Sequence, residues 1–145
     1  MPTQFCTDIE IERIGRGLVD CSLPKREWTH AGHFAAVLWL LRHGRNLDVT
    51  AEMPKLIRTY NEATGVANTD TSGYHETITL VSIRAARSVL DKHGESIPLH
   101  SVVNNLLACE LGQSDWMLLY WSRSRLFSVE ARRLWIEPDL KPIPF

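Results

Sequence analysis

The chain has 145 residues, 44% of them hydrophobic and 23% charged, with a formal net charge of −1. That is enough for one domain with a buried core. The near-neutral balance argues against a nucleic-acid partner or an anionic membrane surface, and the longest apolar run, Phe34 to Leu41, is too short to cross a bilayer.

The hydrophobic pattern predicts an all-α, single-domain bundle of about five to seven helices. Thr7 is a natural N-cap for a first helix over Asp8 to Ser22, with Ile9, Ile11, Ile14, Leu18 and Val19 as its apolar set. Gly15 and Gly17 weaken that helix or admit a close neighbour. A second helix is expected from Glu27 to His43, stopped by Gly44. A third starts at Asp48 or Thr50, carries Pro54 in its first turn, and runs to Gly65.

The polar stretch Val66 to Gly73 reads as a loop. A fourth helix is expected from Tyr74 to His93, a fifth from Leu99 to Leu111, a sixth from Asp115 to Ser122, and a short seventh capped by Ser128. The proline-rich tail from Glu137 to Phe145 is extended against the body or frayed. Trp116, Tyr120 and Trp121 are spaced like a core-facing stripe.

Cys6, Cys21 and Cys109 are odd in number and lack C-x-x-C spacing, which excludes a disulfide framework or thiolate zinc site as the simple reading. The N-terminus carries Asp8, Glu10 and Glu12 and no basic-then-apolar leader, so a cytoplasmic location is expected.

Two motifs carry candidate chemistry. In Glu27-Trp28-Thr29-His30-Ala31-Gly32-His33, a helix with about 100° per residue puts His30 in the stripe of Phe34, Val37, Leu38 and Leu41, with Glu27 and His33 about 60° to either side. In Tyr74-His75-Glu76-Thr77, His75 flanks the face formed by Ile78, Val81, Ala85 and Val89. With Gly73 as N-cap, Glu76 falls at N3 and can cap the helix start. If the second and fourth helices run parallel, as in an up-down bundle, the two motifs meet.

His30, His33 and His75 are then candidate ligands for zinc, iron, nickel or manganese. Glu76 or Glu27 is a fourth ligand, a general base or an orienter of imidazole, and Tyr74 an accessory catalytic group. Such a site suits metal-dependent hydrolysis or lyase-type proton transfer. The competing reading is a non-catalytic ligand-binding or interaction module whose histidines form a buried hydrogen-bond network.

Tyr60 and Asn61 can line the same pocket, or serve as a core residue and a helix C-cap. Arg123, Arg125, Arg132 and Arg133 can hold a small phosphate or carboxylate, or pair with Glu130, Glu137 and Asp139. His43, His93 and His100 read as structural. No Walker loop, dinucleotide fingerprint, G-x-S-x-G or H-E-x-x-H occurs. An apolar helix face is compatible with homo-oligomerisation.

The segments Trp28-Thr29-His30-Ala31-Gly32-His33, Tyr60-Asn61-Glu62-Ala63, Asn68 to Thr77 and Leu126-Phe127-Ser128 resemble a family of small all-helical bacterial proteins. That family carries His-x-x-His followed by Tyr-His-Glu-Thr and has no established activity. The resemblance implies joint use of the two motifs and supplies no substrate. Metal-binding bundles of the DinB type also draw histidines from separate helices, at a different spacing, and stand as an analogy only.

Overall fold

Thr7 caps the first helix as its sequence position implies: its hydroxyl accepts from the amide of Glu10. The computed structural model describes residues 4–145 and contains seven α-helices among them. These are α1 (Asp8–Val19), α2 (His30–His43), α3 (Val49–Ala63), α4 (Glu76–Asp91), α5 (Leu99–Ala108), α6 (Arg123–Leu126) and α7 (Val129–Arg133). Short 3-10 turns cover Lys25–Glu27, Glu110–Gly112 and Trp116–Leu119. No strand is present among the described residues, so the all-helical expectation holds. No helix among them is long and apolar enough to cross a membrane.

Helix α2 is the central element and packs against α1, α3, α4 and α5. This explains its composition. Phe34, Ala35, Ala36, Val37, Leu38 and Leu40 are all buried, so α2 is apolar on most sides rather than along one stripe. Helix α1 approaches it closely because Gly15 lies against the Trp39 ring, where a Cβ would collide with ring carbons. Ile11, Ile14 and Leu18 are buried there, but Ile9 is 74% exposed and Val19 47%. The buried stripe of α1 is therefore narrower than expected.

Several boundaries differ from expectation. Glu27 is not in the second helix: Thr29 is the N-cap of α2, and Glu27 ends the preceding 3-10 turn. Asp48 caps α3 and places Pro54 in the second turn rather than the first; proline there offers no N–H to the exposed Thr50 carbonyl, yet the helix continues to Ala63. The expected sixth helix is only the 3-10 turn Trp116–Leu119, and α6 follows it. Trp116, Tyr120 and Trp121 are nonetheless core residues.

A long-range cap orders α5. The Asp8 carboxylate accepts from the amides of Leu99 and His100 at 3.1 and 2.8 Å. It also pairs with the His100 ring, which thereby has a structural partner. The tail is held rather than frayed. Leu140 donates to the Tyr120 carbonyl, Trp121 Nε1 to the Ile136 carbonyl, and Arg84 to the Phe145 carbonyl oxygen.

Candidate functional site

The two histidine motifs meet. A pocket of about 480 Å³ is lined by His30 and His33 from the start of α2 and by Tyr74 and His75 from the start of α4. Its other walls are mainly apolar, including Phe34, Val37, Met53, Ile57, Ile78, Met117 and Phe127. Size and lining match those of small-molecule sites. The two helix starts therefore lie at the same end of the bundle.

Each histidine is fixed by a backbone carbonyl, and the carbonyl identifies the donating nitrogen, since an oxygen of that kind only accepts. His33 donates from Nδ1 to the Thr29 carbonyl at 2.7 Å. His30 donates from Nε2 to the Leu111 carbonyl at 2.7 Å. His75 donates from Nε2 to the Leu126 carbonyl at 2.8 Å. The three rings differ in what remains. His75 Nδ1 accepts from the Ile78 amide at 3.1 Å, making His75 itself the N-cap of α4. His33 Nε2 and His30 Nδ1 form no hydrogen bond among the described residues, and neither is sealed from solvent.

The histidines thus separate by role. His75 is 6% exposed and engaged at both nitrogens, so it has no lone pair left for a metal. The expected Gly73 cap, with Glu76 at N3, is replaced by His75 as cap and Glu76 at N1. Glu76 faces the Tyr74 hydroxyl, which donates to it at 2.5 Å. Burial first, then that carboxylate, holds the Tyr74 hydroxyl above the usual phenol range, so Tyr74 stays protonated. Glu27 is removed from the site as well. It pairs with Arg13 of α1, and that hydrogen bond keeps its carboxyl below the usual range. Among the described residues, no three His, Cys, Asp or Glu side chains are grouped to hold an ion.

His33 is the most perturbed ring. It stacks on Trp28 with centroids 3.8 Å apart. Burial, then the proximity of His30, pushes its pKa down to about 4 despite the supporting bond to Thr29. It is a neutral imidazole at physiological pH. The His75 pKa is also lowered, by burial and secondarily by Arg132, against the support of its bond to Leu126.

The loop between α3 and α4 is organised by Asn68, which residue-by-residue reading of the sequence did not single out. Its Oδ1 accepts from Asn61 Nδ2 and from the Tyr74 amide, both at 3.0 Å, while its Nδ2 donates to the Arg58 carbonyl. Asn61 is buried on the pocket wall. Tyr60 is fully buried in the core instead, its hydroxyl donating to the Leu23 carbonyl. Gly73 has φ +77° and its Cα lies beneath the Ala67 carbonyl, so a side chain is excluded twice over.

The arginines do not act as one cluster. Arg133 pairs with Asp70 of the loop, Arg125 donates to the Glu137 carbonyl, and Arg123 lies over Phe127. Only Arg132 lines the pocket. Comparison of the chain with protein-family models, curated proteins and solved structures returns no match.

Proposed function

We propose that the protein binds a small, largely apolar molecule in this pocket, and that His30 and His33 recognise a hydroxyl or N–H donor on it. The observation that carries this reading is the pair of imidazole nitrogens, His33 Nε2 and His30 Nδ1, that have no hydrogen-bond partner among the described residues and lie in a mainly apolar pocket. A neutral imidazole with an open lone pair is a hydrogen-bond acceptor. With a pKa near 4, His33 is a weak general base at neutral pH, which favours recognition over proton abstraction.

Indole and N-methylindole have nearly the same shape and differ in one N–H. Indole is expected to bind about tenfold more tightly by calorimetry, the value of one buried hydrogen bond, and to shift the ring signals of His30 and His33. His33→Phe keeps an aromatic ring on Trp28 and should reduce the preference, and the double variant His33→Phe, His30→Phe should abolish it. Equal binding of the two probes, or none, refutes the reading.

A second reading rests on the same two nitrogens. Imidazole nitrogens three residues apart on one helix start are suitable donors to zinc, iron, nickel or manganese, with water completing an open site for hydrolase or lyase chemistry. One equivalent of metal in the purified protein, lost in both His30→Ala and His33→Ala but retained in His75→Asn, supports it. A metal-free protein whose unfolding temperature ignores all four ions refutes it.

A further inference from the structure

The pocket has one formal charge in its lining, and it is unbalanced. Arg132 lines it, while no aspartate or glutamate does. Arg132 is half-buried and has no carboxylate partner among the described residues, unlike its neighbour Arg133, which is paired with Asp70. Its Nη1 donates to the carbonyls of Gly73 and Tyr74 at 3.0 and 3.2 Å. These bonds hold the guanidinium against the pocket wall and use only part of its five-donor fork. Glu76, close by in sequence, is turned to the Tyr74 hydroxyl. A positioned, partly desolvated guanidinium without a counterion is a site for an anion.

We propose that the ligand is an apolar monocarboxylic acid whose carboxylate pairs with Arg132. This rests on the pocket being a binding site and goes beyond it by fixing the charged end of the ligand. A single guanidinium balances one negative charge, and the surrounding apolar wall would leave a second charge of a phosphate uncompensated. The carboxylate takes the remaining guanidinium donors, with the hydroxyl of Ser82, also on the pocket wall, as a further donor. The apolar body of the acid fills the space between Val37, Met53, Ile57 and Met117.

The test compares hexanoate, octanoate and phenylacetate with their amides by calorimetry on the full chain at neutral pH, with the His30 and His33 ring signals reporting where they bind. At least one acid should bind about tenfold or more tightly than its amide and shift those signals, as expected for a charge-assisted pair over a neutral one. In Arg132→Gln, whose amide can still donate to the Gly73 and Tyr74 carbonyls, the preference should fall below about threefold. The acid-to-amide ratio on the unaltered protein decides the matter even if that variant fails to fold. Acids and amides binding equally overturn the carboxylate and leave the pocket reading intact. Tighter binding of phenyl phosphate than of phenylacetate overturns it in favour of phosphate. Binding that leaves both histidine signals unmoved overturns it, and failure of acids, amides and indole together overturns both readings.

Discussion

The depressed His33 pKa makes folding stability depend on pH in a defined window. The unfolded ring titrates near 6.5 and the folded one near 4. Between those values the unfolded chain binds the extra proton and the folded chain does not, so stability falls as pH falls. The contribution is complete above about pH 6.5 and is lost progressively on descending to about 4. At 1.36 kcal/mol per pH unit, the interval corresponds to about 3 kcal/mol. The ring retains some solvent contact, so about 2 to 3 kcal/mol is the expected share after screening. His33→Asn isolates it, because the Asn Nδ2 can donate to the Thr29 carbonyl as the ring Nδ1 does, and it does not titrate. Urea unfolding of both proteins at pH 7.5, 6.5, 5.5 and 4.5 gives the difference, in which the carboxylates and the other histidines common to both cancel. The lost stacking on Trp28 is a constant offset. A difference that stays flat across this range, or a His33 ring that titrates near 6.5 by NMR, refutes the reasoning.

Removal of the α4 cap is the second test. His75→Ala loses the bond to the Ile78 amide and leaves the Leu126 carbonyl unpaired, and should cost about 2 to 4 kcal/mol in urea unfolding. His75→Asn retains a good N-cap and should recover about 1 kcal/mol of that. Both effects should be the same with and without a chelator; a cost that appears only when metal is present would make His75 a ligand after all. Asn68→Ala removes the acceptor shared by Asn61 and Tyr74 and should cost about 2 kcal/mol while accelerating amide exchange at Tyr74. Gly15→Ala improves helix propensity by about 1 kcal/mol yet drives a methyl into Trp39. A net loss of about 1 to 2 kcal/mol in unfolding free energy is expected, and a more stable variant would mean that Trp39 yields freely.

The sequence was most legible where a local rule acts alone. Thr7, Asp48 and Ser128 each cap the helix that their position predicts, and the pocket that unites His30, His33 and His75 follows from two helix starts at one end of a bundle. It was least legible where a partner distant in sequence decides. Glu27 reads as a first-turn acid of α2, but Arg13 draws it to the outside and the helix begins three residues later. Asp8 reads as a first-turn acid of α1, and it also caps α5 across 91 residues of chain. For the arginines the sequence offered a bound anion or pairing with the nearby Glu130, Glu137 or Asp139, whereas Arg133 reaches Asp70. Helix periodicity also assumes a single buried face, and α2 has several, so the wheel could place His30 near the core without revealing that it would meet the Leu111 carbonyl.

The two motifs divide structure from recognition. In Tyr74-His75-Glu76-Thr77 each side chain is occupied: Tyr74 with Glu76, His75 with Ile78 and Leu126, Thr77 with the Leu134 carbonyl and the Ile136 amide. The motif ties the start of α4 to α6 and the tail, and so holds one wall of the pocket. In Thr29-His30-Ala31-Gly32-His33 the carbonyls of Thr29 and Leu111 select opposite tautomers, leaving Nε2 of one ring and Nδ1 of the other without a partner among the described residues. Protonation of His33 at Nε2 would turn an acceptor into a donor. Its low pKa prevents this through the neutral range. The same burial that lowers stability in acid therefore keeps the His33 acceptor constant at physiological pH. A ligand recognised through that acceptor should be released as pH falls below about 4, through loss of the acceptor rather than of its apolar contacts. Indole binding measured at pH 7.5 and 3.5, at a temperature where the fold persists, tests this directly: about three quarters of His33 is then protonated, and affinity that does not fall about fourfold would separate His33 from recognition.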